Sequence, residues 1–295
     1  MSTKDLKMPS YGGQALIEGV LMRGQRYVAA AFRRPDGEIE LHSEPLGALY
    51  KSPIRKIPFL RGLIILWDAL GLGTRYLTLS ANIQGSEEEK IEGKTLVLTL
   101  VISIALAIGL FFLLPALISR GIAFLVGSGT FVTNLIEGLV RLIIILGYMW
   151  GIGFSKDIRA VFAYHGAEHK TINAFEDNAE LTPAKVIRYS VEHPRCGTAF
   201  LFTLIVISIL VFSLLGELSL LMVIFTRIFL IPILAMVAYE YIRFTADHLD
   251  NPVIRAISRP SLALQKLTTR EPNEAQIEVA LCAFNEMMRL EKESV

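Results

Sequence analysis

The feature that most constrains this fold is an uncharged run of 25 residues from Thr95 to Ser119. At a rise of about 1.5 Å per residue, a helix of that length exceeds the ~30 Å hydrocarbon core of a bilayer. The composition agrees, because 53% hydrophobic and only 19% charged residues lie outside the usual balance of soluble proteins. We therefore predict a transmembrane helix here, and a purely soluble enzyme is excluded.

Two further apolar regions raise the predicted number of transmembrane helices to four. The segment from Phe131 to Phe154 is long enough to cross a bilayer, although it contains two charged residues. The chain from Ala199 to Ile242 is apolar over about twice the length of one span, and Gly216 and Glu217 predict a tight turn near its centre. The four helices therefore form two hairpins.

Four spans place both termini and residues 155–198 on one side of the membrane and leave a 120–130 loop and a short turn on the other. Nine Lys and Arg residues lie near helix ends on the first side, and only Arg120 lies on the second. Because cytoplasmic loops carry the excess of basic residues, we expect both termini in the cytoplasm. The two cysteines, Cys196 and Cys282, are too few for a disulfide framework and suit a reducing compartment.

The segments outside the membrane combine a small β-element with helices. Tyr27 to Pro45 alternates apolar and polar residues around a Pro-Asp-Gly turn signal at 35–37, which predicts a β-hairpin. Phe59 to Leu79 is apolar but interrupted by three charges, which favours a helix in the membrane interface or packed on the bundle over a fifth span. Asn273 has the position of an N-cap for an amphipathic C-terminal helix.

The predicted fold is a predominantly α-helical membrane protein, with about four transmembrane helices in two hairpins, a small N-terminal β-element and cytoplasmic helical segments. The chain divides accordingly into an N-terminal cytoplasmic β-element (1–58), an interfacial helix and linker (59–94), a first transmembrane hairpin (95–154), a cytoplasmic segment with His, Glu and Cys residues (155–198), a second transmembrane hairpin (199–245) and a C-terminal cytoplasmic helical tail (246–295).

Three charged residues lie at membrane depth in this arrangement. Glu137 and Arg141 are four positions apart on the second span, and Arg227 lies at a similar depth in the fourth. An unpaired charge there is costly, so we expect these residues to face the bundle interior and to pair. A structural ion network that fixes helix register is favoured over a polar pathway or substrate-headgroup site, because a transport route needs more polar lining.

The strongest chemical signal is the stretch YHGAEHK at 164–170. His165 and His169 are four positions apart, so on a helix both imidazoles lie on one face, with Glu168 beside them. The pattern H-x-x-E-H is also that of the inverted zincins, in which two His bind Zn²⁺ and the Glu activates water. We predict a divalent transition-metal site that prefers Zn²⁺. In the alternative, the histidines are caps or hydrogen-bonding residues at the membrane surface, and Gly166 weakens the helix.

A catalytic Zn²⁺ needs a third protein ligand, which the motif does not supply. Glu176 is seven residues beyond His169 and hence on the same helical face. His193 and Cys196 precede the third span, where the topology returns the chain to the membrane face of the motif, although Pro194 implies a bend there. The predicted metal ligands are His165, His169, His193 and Cys196, with Glu176 as a further candidate.

Four stretches resemble the YqhQ-like bacterial membrane family: GGQALIEGVLMRG (12–24), YHGAEHKTINAFE (164–176), HPRCGTAF (193–200) and LTTREPNEAQIEVAL (267–281). This is a domain-of-unknown-function family that is often labelled a predicted metal-dependent enzyme. The resemblance implies a bacterial inner-membrane protein and no known substrate. By position it singles out Gly13, Gln14, Glu18, Gly19, Met22, Arg23, His165, Glu168, His169, His193 and Cys196.

Glu18 lies in the first of these stretches among glycines and apolar residues, a composition suited to a tight segment that approaches a site. It is a candidate for a carboxylate ligand or for the general base. In the equally weighted alternative, Glu18 pairs with Arg23 and the glycines serve turns.

The leading functional hypothesis is a cytoplasm-facing, membrane-embedded metal-dependent hydrolase in which Glu168 is the catalytic base. Its substrate would be an unidentified membrane-proximal molecule, either lipid-linked or a peptide. The alternative is a non-catalytic scaffold with a closed structural site, which four protein ligands would identify. Transport through the three intramembrane charges is the weakest hypothesis. We expect membrane lipids as partners and, at a net charge of +1, no nucleic acid; an oligomer is left open.

The predicted topology is testable with single introduced cysteines in intact cells. A cysteine at Lys185 should resist a membrane-impermeant thiol reagent, because this position is expected in the cytoplasm, while one at Ser128 should react. The parent chain with its own two cysteines provides the background signal. The reverse labelling pattern would overturn the orientation and, with it, the compartment of the metal site.

Overall fold

The computed structural model describes residues 11–47, 57–85, 90–216 and 218–294. The described chain is mostly helical and opens with a small antiparallel sheet. The strands are β1 (Gly12–Leu16), β2 (Gly19–Arg23), β3 (Tyr27–Arg33) and β4 (Ile39–Pro45). The helices are α1 (Leu60–Gln84), α2 (Gly93–Ile108), α3 (Leu114–Val126), α4 (Thr130–Ile152), α5 (Lys156–Glu176), α6 (Pro183–Val186), α7 (Gly197–Ser213), α8 (Leu220–Asp247), α9 (Pro252–Leu264) and α10 (Glu274–Glu293).

The β-hairpin predicted at 27–45 is confirmed as β3 and β4. Two more strands precede it, and the order in the described sheet is β1-β2-β3-β4, with antiparallel neighbours throughout. The sequence had suggested only a tight segment at 12–24. The reason is burial: β2 is covered on both faces, so its residues Val20 to Met22 form a continuous apolar run without the alternation that indicates a strand.

The sheet is covered on both faces. Successive side chains of a strand point to opposite sides, so neighbouring residues of β2 belong to different cores. On one face, Leu21 packs in a core with Tyr76 of α1. On the other face, Met22 packs in a core with Tyr164 of α5 and Phe284 of α10. The N-terminal sheet, the His-containing segment and the C-terminal tail therefore share a core, although they are far apart in sequence.

The amphipathic C-terminal helix begins where it was predicted. The Asn273 side chain accepts a hydrogen bond from the Gln276 N–H at 2.8 Å, and the Gln276 side chain accepts one from the Asn273 N–H at 3.0 Å. This reciprocal pair is a capping box, which satisfies two of the free donors at the start of the helix. The buried face of α10, with Ile277 and Phe284, then closes over β2, β3 and α5.

Three stretches of the described chain are helical, long enough and apolar enough to cross a membrane: Gly93–Val126, Thr130–Ile152 and Phe225–Asp247. The predicted third span corresponds to α7, an apolar helix of 17 residues. At about 1.5 Å per residue its length is roughly 26 Å, somewhat less than the ~30 Å hydrocarbon core. The prediction of four transmembrane helices is therefore not confirmed.

Two connecting regions differ in detail from the prediction. The 120–130 loop is shorter than predicted, because α3 continues to Val126. Gly127 follows as the C-cap residue with a φ of 65°, a left-handed conformation that a glycine adopts with little strain. The apolar segment 59–79 forms α1, which is not among the candidate spans of the described chain and packs against β1 and α8, where Arg61 pairs with Glu240. Residues 1–10 and 48–56 of the predicted β-element, and Glu217 of the predicted turn, lie outside the described residues.

The first apolar helical stretch is interrupted by a π-helical segment, Gly109–Leu113, and by Pro115. Proline has no N–H, so the carbonyl of Phe111, four residues earlier, loses its usual helical donor. Nε of Arg141 on α4 donates to that carbonyl at 3.0 Å. A charged side chain of a candidate span thus satisfies a backbone group that the proline would leave unpaired.

The three predicted intramembrane charges come together. Oε1 of Glu137 accepts from Arg141 at 2.5 Å and from Arg227 of α8 at 2.7 Å. The guanidinium of Arg141 also lies over the Phe112 ring, 5.2 Å from its centroid. This group connects α4, α8 and the interrupted first stretch, which is the arrangement expected of an ion network that fixes helix register.

Candidate metal centre

Two histidines and one cysteine converge between α5 and the start of α7. His165 and His169 lie one turn apart on α5, and Cys196 is the N-cap residue of α7. Among the described residues these three each offer a ligand atom within 4.8 Å of the others. Sγ of Cys196 is 3.4 Å from Nε2 of His165, and the two imidazole centroids are 4.4 Å apart. We call this group the His/Cys cluster.

Both imidazoles of the cluster are oriented by backbone carbonyls. Nδ1 of His165 lies 2.9 Å from the carbonyl oxygen of Thr268, and Nδ1 of His169 lies 2.5 Å from that of Val191. A carbonyl can only accept a hydrogen bond, so each Nδ1 carries a proton and Nε2 is left as the nitrogen that can bind a metal. Metal-binding histidines are typically oriented in this way by a partner on the opposite nitrogen.

The segment 187–192 is fastened to α5 by side chains of the same helix. Nζ of Lys170, which is only 3% exposed, donates to two of its carbonyls at 2.7 Å. Nδ2 of Asn173 donates to two more, at 2.9 and 3.0 Å, and His169 contacts a fifth. Because this irregular segment leads directly to Cys196, these bonds determine where the thiol meets the histidines.

Two glycines permit close approaches that build the site. A Cβ at Gly166 would lie 2.2 Å from the carbonyl oxygen of Arg270, so the glycine lets the chain that carries Thr268 run against α5. A Cβ at Gly13 of β1 would lie 2.9 Å from Cγ of Glu168. The helix penalty of Gly166, about 1 kcal/mol, is therefore offset by a contact that no larger residue allows.

Cys196 and His165 form a coupled acid–base pair. Burial alone raises the pKa of the Cys196 thiol, but hydrogen bonds from His165 and His169 outweigh burial and hold this pKa well below its usual range. Burial alone lowers the pKa of His165, but the neighbouring sulfur raises it to about 9. The two groups therefore favour a thiolate beside an imidazolium. The N–H of Thr198, at the start of α7, donates to the sulfur at 3.3 Å and favours the thiolate further.

His193 lies beside the His/Cys cluster without belonging to it. Its ring centroid is 5.6 Å from that of His169, and its buried Nε2 has no hydrogen-bond partner in the described chain, with Glu176 at 3.6 Å. The side chain of Gln265 holds its backbone by accepting from the His193 N–H and donating to its carbonyl, both at 2.9 Å. Burial and the charge of His169 lower the pKa of His193 to about 4, so its imidazole is neutral.

Glu168 is the carboxylate most closely associated with the cluster. Its side chain is 5% exposed and lies against Gly13. Its negative charge acts to raise the pKa of both His165 and His193, although burial outweighs this contribution at His193. The structure therefore places Glu168 beside the histidines rather than in the surrounding solvent.

The other two candidate carboxylates are engaged elsewhere. Glu176 pairs with Arg195. Glu18, in the tight turn between β1 and β2, has a φ of 49° and accepts a hydrogen bond from the Tyr164 hydroxyl at 3.0 Å. Neither carboxylate joins the converging ligand atoms of the described chain. Glu18 nevertheless ties the sheet to the residue that precedes the first histidine.

Three residues that shape the site could not be identified from the sequence. Thr268 and Val191 contribute backbone carbonyls, which leave no side-chain signal. Gln265 contributes a single side-chain amide at the first position of the 3₁₀ turn that follows α9. Only the resemblance of 267–281 to the YqhQ-like family pointed to this part of the chain.

The donor set fits a transition metal. Typical Zn–N distances of about 2.0–2.1 Å and a Zn–S distance of about 2.3 Å place N and S about 3.6 Å apart in a tetrahedral site. The observed separation of 3.4 Å between Cys196 and His165 is close to this value. Two imidazoles and a thiolate suit Zn²⁺, whereas Mg²⁺ and Ca²⁺ prefer oxygen ligands.

Comparison with known proteins identifies relatives but no activity. The profile of the family described as "Protein of unknown function (DUF1385)" matches residues 57–290. The uncharacterized protein YqhQ of Bacillus subtilis (strain 168) is 35% identical over 298 residues, which cover 96% of this chain and 93% of that protein. No solved structure shows a significant match. The relationship inferred from the sequence motifs is thereby confirmed.

Metal content tests the cluster directly. Protein purified without chelators should carry about one equivalent of a transition metal, with Zn²⁺ preferred, and His165→Ala or His169→Ala should lose it. His42→Ala is the matched control. His42 lies on β4, where it contacts Glu40 and not the His/Cys cluster, so this variant should keep the metal. Elemental analysis is the measurement. Equal, near-zero metal in the wild type and in a variant that carries both His165→Ala and His169→Ala would contradict the site.

Metal affinity should depend on pH through His165. Because hydrogen bonds hold the pKa of the Cys196 thiol well below its usual range, the one proton released on binding should come from the His165 imidazolium, whose pKa is about 9. Apparent affinity for Zn²⁺ should therefore rise about tenfold per pH unit from neutrality to about pH 9 and then level off. Chelator competition, corrected for chelator protonation, measures this slope. A slope of two protons would show a protonated thiol, and a flat profile would contradict the thiolate–imidazolium pair.

Proposed function

This chain belongs to the DUF1385 family, whose function is unknown, and from the geometry of its His/Cys cluster we propose that it is a membrane-embedded, metal-dependent hydrolase. One observation carries the proposal: Nε2 of His165 lies 3.4 Å from the Cys196 sulfur, His169 is hydrogen-bonded to the same sulfur, and both Nδ1 atoms are fixed on carbonyls. A bound Zn²⁺ would supply Lewis acidity and lower the pKa of water. Zn²⁺ is the ion that this donor set favours.

Three protein ligands are the number found in catalytic zinc sites, which keep one position open for water or substrate. Glu168 is the residue that would take a proton from water. It follows the pattern H-x-x-E-H, is buried, and lies one residue from His169. In the hydrolytic step, the carboxylate would hold the proton and return it to the leaving group, while the histidines and Cys196 keep their places.

The position of the cluster suggests where the substrate comes from. Cys196 caps α7, an apolar helix next to the candidate spans, so the site lies at the level where these helices end. A lipid-linked molecule or a peptide at the membrane surface would reach it there. The distribution of basic residues favours a cytoplasmic site in a bacterial inner membrane, with both termini on that side.

A non-catalytic scaffold is the second candidate, and His193 is the observation that favours it. Its neutral imidazole is next to His169, and its buried Nε2 has no hydrogen-bond partner among the described residues. If His193 became a fourth ligand, the site would be closed and structural. Transport has less support, because the carboxylate of Glu137 already pairs with both Arg141 and Arg227.

Glu168→Gln distinguishes an enzyme from a scaffold. Glutamine keeps the size and hydrogen bonding of the side chain but cannot take a proton, so metal content and melting temperature should be retained while cellular function is lost. Glu180→Gln, an exposed carboxylate paired with Lys185, is the matched control and should retain all three. Metal analysis, thermal unfolding and complementation of a deletion strain provide the measurements. Full complementation by the Glu168 variant with normal metal content would count decisively against a catalytic base.

A further inference from the structure

Helix α9 has its apolar side on the outside. Its buried residues are the polar Ser258 and Ser261, which face the bundle, where α9 contacts α7 and α8. Val253 and Ile257 are 64% and 56% exposed. Together with Pro260 and Leu264 they recur at helical spacing and form one stripe along α9. A soluble helix would bury such a stripe, so this face requires an apolar environment.

The connection to α8 limits where α9 can lie. The candidate span Phe225–Asp247 ends only a few residues before α9 begins at Pro252. Asn134 near the start of α4 donates to carbonyls at the end of α7, so α4 and α7 are antiparallel. Arg227 near the start of α8 donates to Glu137 near the start of α4, so α8 runs in the same direction as α4. The C-terminal ends of α4 and α8 are therefore on the same side. A helix that follows α8 so closely must begin near the membrane surface.

Exposed aromatic residues mark the same level. Trp150 in the last turn of α4 is 62% exposed, and Phe154, two residues after this helix, is 65% exposed. Phe244 in the last turn of α8 is 55% exposed. Aromatic side chains concentrate at the boundary between hydrocarbon and headgroups. The apolar stripe of α9 thus continues a boundary that the candidate spans already define.

The charges near the stripe favour an anionic surface. Residues 252–267 contain Arg255, Arg259 and Lys266 and no acidic residue. Arg259 is exposed. The Lys266 side chain is 72% exposed, and its Nζ lies 3.7 Å from Oε1 of Glu192, a loose contact that leaves the cation open to the solvent side. A helix with an apolar stripe and basic flanks can lie in the headgroup region, with the stripe in the acyl boundary and the cations near phosphates.

We propose that α9 is an interfacial helix that docks on anionic phospholipid headgroups, with Val253 and Ile257 in the acyl boundary and Arg259 and Lys266 on the phosphates. The helix is also linked to the His/Cys cluster. It runs through the 3₁₀ turn Gln265–Leu267, which includes the amide that holds His193, into Thr268, whose carbonyl orients His165. Docking of α9 therefore holds the cluster at the headgroup level, a consequence that rests on the proposed function.

Fluorescence quenching in vesicles tests the docking. Full-length protein with Cys282→Ser carries a bimane on an introduced cysteine, either Ile257→Cys or, as a control, Asn285→Cys on the exposed side of α10. In phosphatidylcholine–phosphatidylglycerol vesicles, acyl-chain nitroxide lipids should quench the probe at 257 and aqueous iodide should not. The probe at 285 should show the opposite pattern. Cys282→Ser without an introduced cysteine measures background labelling of Cys196.

Charge dependence is tested in the same system. Quenching at 257 by nitroxide lipids should be stronger with phosphatidylglycerol than with phosphatidylcholine alone, and Arg259→Gln with Lys266→Gln should remove the difference. Equal quenching in both lipids would overturn the anionic preference. A probe at 257 that is open to iodide, like that at 285, would overturn docking altogether. Protection of the bimane at 257 from both quenchers, together with excimer emission when the same cysteine carries pyrene instead, would show that a second copy of the chain covers this face. That result would also overturn the docking on lipid.

The docking and the proposed enzyme fail independently. Metal analysis of the same vesicle samples reports on the His/Cys cluster, whereas quenching at Ile257 reports on the helix. Lipid contact without metal would support the interfacial position of α9 and would contradict the proposed metal-dependent enzyme. Metal without lipid contact would leave the cluster intact and remove the docking.

Discussion

The structure depends on satisfying the polar groups of a buried helix. Between residues 162 and 174 of α5, all residues but His165 and Asn173 are buried, including Glu168 and Lys170. Buried polar groups are costly unless they find hydrogen-bond partners, so other parts of the chain must surround this helix and supply them. The segment 187–192 supplies carbonyls to Lys170, His169 and Asn173, and the chain at Thr268 supplies one to His165. The geometry of the His/Cys cluster results from these partnerships.

The same requirement explains the contacts among the apolar helices. Pro115 removes an N–H from the first apolar helical stretch, and Arg141 satisfies the carbonyl of Phe111 that would otherwise be unpaired. Glu137 then compensates Arg141 and Arg227. In both regions a polar side chain in an apolar environment is retained because it binds a particular backbone or charged group. That dependence ties distant elements into one arrangement and gives each of these residues a structural reason to be present.

The sequence predicted those parts of the site that repeat at a regular spacing or stand out chemically. His165 and His169 were recognised because i, i+4 positions share a helical face, and Cys196 because the topology returned it to the same membrane face. The contacts of Glu18 with Tyr164 and of Glu176 with Arg195 could not be predicted, because each joins elements whose packing is not encoded in local periodicity. Strand β2 was missed for a related reason: burial on both faces removed the alternation that identifies a strand.

By itself, the sequence determined which segments are apolar enough to leave water, where the β3–β4 hairpin turns and where the C-terminal helix begins. It also determined which residues offer the nitrogen and sulfur atoms of the candidate cluster. These properties follow from local composition and from the fixed periods of helix and strand. Only the tertiary structure decided that the N-terminal sheet and the C-terminal helix enclose α5, that Gly166 and Gly13 admit close backbone and side-chain approaches, and that carbonyls of Val191 and Thr268 orient the imidazoles. These contacts join residues that are distant in sequence, and His165 and Thr268 are 103 positions apart. The carbonyls belong to the backbone, which every residue possesses alike, so no pattern of side chains could predict that they orient the imidazoles.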